Sequence, residues 1–329
     1  MKKSASLLLL TFVFSILQAQ IDATLIRFPD VSDTHITFVY AGDIWIVKKD
    51  GGIASRLSTP SGTELFPKFS PDGKTIAFSG NYDGKMDIYT IPYLGGVPDR
   101  VAYHGGVVMG WHPNGNSILF SSGKASGRMR FNRLFSVDKN GGLAEPLPPA
   151  YAEIGCFSPN GEQLAFTDKS RLNRTWKRYR GGMAPDIYVM NLDDYSTTNI
   201  TNNSASDELP MWHESKIYYL SDNGDEKRYN IWEYNTESKT NQQVTNFTEF
   251  DVHYPSVGPE EIVFEAGGDL YLLNLETNAY KKVEIEVISD QHAIMPETVK
   301  AQKYIQNVNI SPKGNRALVE ARGDIFSLP

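Results

Sequence analysis

Phe69-Ser70-Pro71-Asp72-Gly73-Lys74-Thr75-Ile76-Ala77-Phe78 decides the fold, because the chain repeats it. It returns as Trp111-His112-Pro113-Asn114-Gly115-Asn116-Ser117-Ile118-Leu119-Phe120 and as Phe157-Ser158-Pro159-Asn160-Gly161-Glu162-Gln163-Leu164-Ala165-Phe166. Worn copies are Trp212-His213-Glu214-Ser215-Lys216-Ile217-Tyr218-Tyr219 and Gly258-Pro259-Glu260-Glu261-Ile262-Val263-Phe264. A last one is Ile310-Ser311-Pro312-Lys313-Gly314-Asn315-Arg316-Ala317-Leu318-Val319. Each reads as a hairpin. An apolar residue ends one strand, proline presets φ, glycine accepts φ > 0, and an Ile-x-Phe alternation starts the next strand.

A third strand follows each hairpin: Asp43-Ile44-Trp45, Asp87-Ile88-Tyr89, Arg133-Leu134-Phe135, Asp186-Ile187-Tyr188, Asn230-Ile231-Trp232, Asp269-Leu270-Tyr271 and Asp324-Ile325-Phe326. A fourth closes the unit, as at Arg56-Leu57, Arg100-Val101, Pro146-Leu147, Asn199-Ile200-Thr201, Gln243-Val244-Thr245 and Lys282-Val283. Four short strands at steps of roughly 40–55 residues spell an all-β chain built as a β-propeller with antiparallel blades, the architecture of WD40-like repeats. One four-stranded sheet cannot bury both faces alone, but blades around an axis can. A β-sandwich would carry no repeated hairpin signature. The spacing therefore predicts a six-bladed propeller over residues 24–283. Residues 284–306 read as a connector without repeat signature. Residues 307–329 read as the truncated start of a second propeller, stopping after two strands.

The chain has 329 residues, 40% hydrophobic and 12% aromatic, enough for a large core. Its formal charge of −7 gives no reason to expect nucleic-acid binding. Lys2 and Lys3 precede an apolar run from Leu7 to Leu17, then Gln18-Ala19-Gln20. This pattern reads as a secretory signal peptide over residues 1–19, cut after Ala19, and predicts a periplasmic or secreted protein. The run is too short to span a bilayer comfortably.

Chemistry is sparse. A single cysteine, Cys156, allows no intrachain disulfide and no Cys-rich metal site, and reads as a small buried hydrophobe. No Gly-x-Ser-x-Gly elbow is present; Gly123-Lys124-Ala125-Ser126-Gly127 has its serine one position late. Histidines 35, 104, 112, 213, 253 and 292 are scattered singly, and His112 and His213 occupy the turn position held elsewhere by Ser70 and Ser158. Asp222-Asn223-Gly224-Asp225 lacks the downstream glutamate of a calcium loop and sits where a turn belongs. The reading is no metal, no cofactor and no catalytic residue.

One segment stands out. Lys169 to Gly182 carries six basic residues in an acidic protein, inserted between the second and third strands of the fourth unit. Arg171, Arg174, Lys177, Arg178 and Arg180, interleaved with Trp176 and Tyr179, suit bidentate gripping of carboxylates such as a peptide C-terminus. The same residues equally suit pairing with acids of another domain. Arg128, Arg130 and Arg133 form a smaller cluster open to both readings.

Trp176-Lys177-Arg178-Tyr179-Arg180-Gly181-Gly182, followed by Asp186-Ile187-Tyr188, resembles a segment of the tricorn proteases and their bacterial homologues. Ile310 to Gly314 through Glu320-Ala321-Arg322-Gly323-Asp324-Ile325-Phe326 resembles the opening of their second propeller. The resemblance implies a serine peptidase that releases short peptides, with a six-bladed propeller, a seven-bladed propeller, a PDZ domain and a C-terminal catalytic core, hexameric in the archaeal member. It implies that this chain is the non-catalytic N-terminal propeller, sieving peptides toward a core absent here. Its partners would be peptides, the C-terminal propeller, PDZ and catalytic domains, and further copies of itself. The archaeal enzyme anchors the substrate tail through an arginine pair in its first propeller; the matching stretch here, Tyr103 to Val107, holds no arginine. Two other readings use the same hairpins: a TolB-like periplasmic binding module, and the propeller of a prolyl-oligopeptidase-like enzyme.

Overall fold

The computed structural model describes residues 20–59, 61–103, 105–123, 132–170, 177–288 and 298–329. The segment read as a signal peptide, Arg171, Arg174, Arg128, Arg130, His104 and residues 289–297 of the stretch read as a connector lie outside them. The chain divides into two units, Met1–Ile288 and Ser289–Pro329.

The repeated turn explains the repeated hairpin. In the second copy the Gly73 N–H donates to the Ser70 carbonyl at 2.8 Å, with Gly73 at φ +68°. The Ser70 hydroxyl accepts from the Thr75 N–H at 3.0 Å and donates to the Asp72 carboxylate at 2.5 Å. That hydrogen bond, with one from the Lys74 N–H, holds the Asp72 carboxyl below the usual range. Ser158, Asn160 and Gly161 repeat the arrangement, Asn160 accepting from the Ser158 hydroxyl at 2.7 Å. Beyond the turn, the isoleucine or leucine of each Ile-x-Phe is sealed: Ile36, Ile76, Ile118, Leu164, Ile217 and Ile262 are all fully buried. Each contributes about 1.5–3 kcal/mol of transfer free energy.

Among the described residues six sheets form the first unit, antiparallel but for one strand pair. Their first strands are Arg27–Val31, Glu64–Phe69, Val107–Trp111, Ile154–Phe157, Asp207–His213 and Val252–Val257. Each first strand packs beside that of the next sheet, and the sixth packs beside the first, so the six form a ring of inner strands. The later strands of each sheet run outward as blades. In blades 1, 4 and 5 a hydroxyl after the fourth strand caps the third: Ser58, Thr201 and Thr245 accept from the N–H of Ile44, Ile187 and Ile231 at 2.9 Å.

Closure of the ring was not legible in the sequence. Ile285–Ile288, inside the stretch read as a connector, is a strand. It leaves the sixth blade and pairs in parallel with Gly52–Arg56, the outer strand of the first, Val287 opposite Ala54. Gln20–Asp22 then pairs antiparallel with it, giving a six-stranded sheet. Val287 is fully buried and Ile285 nearly so, in one cluster with Val47, Leu270, Leu272 and Val283. Backbone hydrogen bonds and apolar burial thus join the two ends of the ring. Gly51 makes room for this latch: it has φ +86°, and a Cβ there would lie 2.3 Å from the Glu284 carbonyl oxygen.

The second unit is a three-stranded antiparallel sheet, Ile305–Ile310, Ala317–Ala321 and Asp324–Leu328, preceded by a 3₁₀ turn at Ala301–Tyr304. It has one strand more than the two expected, because the residues before Ser311 also pair.

Candidate functional site: the axial cavity

The ring of inner strands encloses a cavity of about 510 Å³. It reaches from the hairpin turns (Ser70-Pro71, Pro113, Pro159, Gly258-Pro259) to the middle of the inner strands. Its wall is mainly apolar, and one level of it is built by a repeated irregularity.

Phe28, Phe66, Leu209 and Tyr254 all line the cavity, and all are followed by proline: Pro29, Pro67, Pro210 and Pro255. At each site the ladder slips. Pairing jumps from Arg27 to Asp30, from Leu65 to Lys68, from Glu208 to Met211 and from His253 to Ser256. Two residues therefore face one on the second strand, a β-bulge. Proline lacks the N–H a ladder needs, so within a sheet it belongs at an edge or a bulge, and here the inner strand is both. At each bulge the residue before it lies in the left-handed region, against the extended backbone that a following proline favours: φ is +52° at Phe28, +55° at Phe66, +57° at Leu209 and +48° at Tyr254. For residues with a Cβ this costs roughly 1–2 kcal/mol each, so the four together cost on the order of 4–8 kcal/mol. That is comparable to the whole net stability of a domain, about 5–15 kcal/mol. Glycine would adopt the same backbone without strain, so the side chains are what the geometry retains.

The rings meet. The Phe28 and Phe66 centroids lie 4.1 Å apart, tilted by 48°, and Phe28 and Tyr254 lie 4.5 Å apart at 62°. Blades 3 and 4 differ. Blade 3 places Met109-Gly110 there, with a bulge between Val108 and Gly110. Blade 4 places Gly155-Cys156 in an unbroken ladder. A Cβ on Gly155 would meet Leu134 Cδ1 at 2.6 Å, whereas one on Gly110 would meet nothing within 4 Å. Cys156 is half-buried, and burial pushes its thiol up to about 12, which suits packing and not nucleophilic attack.

One polar cluster interrupts the apolar wall. Lys68 Nζ donates to Ser256 Oγ at 2.5 Å and lies 3.5 Å from Asp30 Oδ1, while Ser256 donates to Asp30. The Phe69 N–H fills the other Asp30 oxygen at 2.6 Å. Burial raises the Asp30 carboxyl, opposed by the Lys68 charge and these hydrogen bonds. The three side chains come from blades 1, 2 and 6. Both the lone pair and the proton of Ser256 are engaged within the wall, so it is a staple across the ring's seam. Trp111 Nε1 adds a bond from blade 3 to the Lys68 carbonyl at 3.0 Å.

The basic segment lies elsewhere. It connects the second and third strands, so it sits at the end of the propeller opposite the Pro-Asp-Gly turns. Lys177 Nζ contacts Asp251 Oδ2 at 2.6 Å, and Arg178 Nη2 lies 3.7 Å from Asp251 Oδ1. Arg180 donates to the Asp222 carboxylate at 2.9 Å and to its carbonyl at 3.1 Å. Asp222 also accepts from the Ser206 N–H, and Asp251 from the Tyr229 N–H. Burial would raise Asp251, but the hydrogen bonds from Lys177 and Tyr229 and the two cations hold it below the usual range. The carboxylates gripped here belong to the propeller itself: the segment straps blade 4 to blades 5 and 6. The histidines at turn positions also pack between blades, His213 with the Pro259 carbonyl at 3.0 Å and His112 edge-on to Phe157 at 4.7 Å. Among the described residues no group of three or more His, Cys, Asp or Glu is arranged to hold a metal ion.

With this geometry in place, comparison with known proteins is informative. The tricorn protease N-terminal β-propeller domain matches residues 23–279. The chain belongs to that family. A tricorn protease homologue of Saccharolobus solfataricus is 24% identical over 306 residues, covering 91% of this chain and 28% of that protein. Tricorn protease homologue 1 of Streptomyces coelicolor is 25% identical over 308 residues, again 91% and 28%. The chain thus spans little more than a quarter of these relatives. The crystal structure of the tricorn protease superposes with a TM-score of 0.73 at 22% identity, covering 93% of this chain and 30% of that one. At that identity the superposition speaks for the fold. Phe28, Phe66, Leu209 and Tyr254, a collar on the cavity wall, were missed in the sequence, although a signal was there: an apolar-proline pair recurs inside the first strand of four of the six repeats.

Proposed function

We propose that this tricorn-family propeller is the non-catalytic N-terminal part of an exported serine peptidase, passing short peptides along its axis to or from a C-terminal catalytic core. The observation that carries this is an axial cavity bounded by all six inner strands in a chain of this family. A cavity of about 510 Å³ suits an extended short peptide and excludes folded protein. Lys177, Arg178 and Arg180 serve the passage by bracing one end of the ring. Further propeller, PDZ and catalytic domains, and other copies of the chain, are the partners in this reading.

The test compares hydrolysis of short peptides by the 329-residue chain and by a longer chain bearing the peptidase core. The short chain is expected to be inactive. In the longer one, Gly110→Trp, which fills open space at the cavity wall, is expected to lower kcat/KM at least fivefold. Activity in the short chain, or unchanged turnover in Gly110→Trp, overturns the reading. Export is tested by sequencing the secreted protein's N-terminus, expected at Gln20.

A further inference from the structure

We propose that the level formed by Phe28, Phe66, Leu209 and Tyr254 is a binding site for the aromatic side chain of a short, uncharged peptide. This deepens the passage reading and rests on it.

Three observations converge. First, each of the four residues holds a bulky side chain at a left-handed φ that glycine would adopt without strain. Repeated backbone strain of this kind marks ligand clamps. Core packing accounts for it only in part: Phe66 and Leu209 also touch core clusters, but all four line the cavity and are only half-buried, while the core residues behind them, Phe38, Phe78, Tyr219 and Phe264, are almost fully buried. Secondly, the ring geometry is one aromatic groups extend. Phe28 sits tilted or edge-on to both Phe66 and Tyr254, at centroid distances of 4.1 and 4.5 Å, and a further ring can add to such a cluster by its edge or face. Blade 3, which lines the same cavity beside blade 2, leaves space for it, since a Cβ on Gly110 meets nothing within 4 Å. Thirdly, the charges beside this level cancel. Asp30 and Lys68 pair with each other and with Ser256, so the wall at this level offers no unpaired charge to a ligand, and the further lining carboxylates, Asp33 and Glu214, lie out at the hairpin turns. An ionised side chain entering there would lose its hydration without a partner, whereas an apolar one loses nothing. The cavity's size limits the occupant to a few residues.

Binding is measured by calorimetry on the 329-residue chain with three capped peptides: acetyl-Ala-Phe-Ala-amide, acetyl-Ala-Ala-Ala-amide and acetyl-Ala-Glu-Ala-amide. The phenylalanine peptide is expected to bind at least tenfold more tightly than the alanine peptide, and the glutamate peptide most weakly. Phe66→Gly keeps the backbone and relieves its strain while removing the ring, so it is expected to stay folded, at a somewhat lower thermal midpoint because the ring also packs on the cluster of Val108 and Phe120, and to lose most of that preference. Phe66→Leu should retain part of it. Equal binding of the phenylalanine and alanine peptides, or an undiminished preference in Phe66→Gly, overturns the collar as a site. The two readings separate cleanly. Turnover blocked by Gly110→Trp without any aromatic preference defeats the collar alone, and an aromatic preference with turnover indifferent to Gly110→Trp defeats passage alone.

Discussion

The seam between blades 6 and 1 and the joint between blades 4 and 5 solve the same problem with different means. At the joint the chain runs on, through Thr201 to Ser206, so the blades cannot separate. There, among the described residues, a single backbone bond, from the Asp207 N–H to the Pro185 carbonyl at 2.9 Å, is joined by side-chain contacts: Arg180 on Asp222, and Asp207 held by Asn203. At the seam the covalent path is interrupted, and the structure adds backbone. A parallel strand crosses from blade 6 to blade 1, backed by Lys49 on Glu261 at 2.6 Å and by the Asp30, Ser256 and Lys68 staple. Gly258 lets the sixth hairpin lie against blade 1, since a Cβ there would meet the Val31 carbonyl oxygen at 2.5 Å. The difference teaches that ordering entropy is met locally where the chain is continuous, and must be met by a cooperative ladder where it is not.

The contrast is broken most forcefully at the latch. Val287→Asp places a charge in a fully buried position and is expected to cost about 4 kcal/mol or more in urea unfolding, with early loss of protection of the Gly52–Arg56 amides. Retained protection there would show that the seam does not depend on the strand.

At the joint, the largest effect is one of pH. Asp207 is fully buried, and burial, with some repulsion from Asp186, pushes its carboxyl up to about 7 against hydrogen bonds from Ser221, Asn203 and Thr201. Its folded value lies above its unfolded one, so the folded state binds the extra proton between them. This group's contribution to stability is fully present below about pH 4 and is lost as pH rises to about 7. Between pH 4.5 and 7.5 wild type is expected to lose on the order of 2–3 kcal/mol relative to Asp207→Asn. Parallel unfolding curves for the two proteins would contradict this.

A smaller loss is expected for Lys68→Met, about 2 kcal/mol, because the buried Asp30 carboxylate keeps Ser256 and the Phe69 N–H but loses its cation. Asp30→Asn in the same chain should recover much of it, which a double-mutant cycle measures. The smallest effect is that of Arg180→Ala at the joint, about 1 kcal/mol, since this half-exposed arginine leaves a buried Asp222 that still accepts from the Ser206 N–H. If Arg180→Ala proved as damaging as Val287→Asp, the distinction between a laddered seam and a braced joint would fall.

The propeller was legible because its cause is local. Ser70-Pro71-Asp72-Gly73 makes a turn by contacts within five residues, and Ile76 and Phe78 mark the buried side of the next strand wherever the unit recurs. The basic segment was legible as an anomaly, but its partners were not. Nothing within Lys177 to Arg180 specifies Asp251 or Asp222, which lie many tens of residues on. The collar went unread: the apolar-proline pairs carry the signal of an irregular strand, but the convergence of four of them on one axis needed the ring.

Composition and repeat spacing by themselves determined that this chain builds four-stranded blades and which residues line their cores, because turns and alternation act over a few neighbouring residues. Tertiary structure alone decided how the ring closes, whose carboxylates the strap holds and what faces the axis. Ser256 and Asp30 are 226 residues apart, and no local pattern couples such positions until the blades have packed.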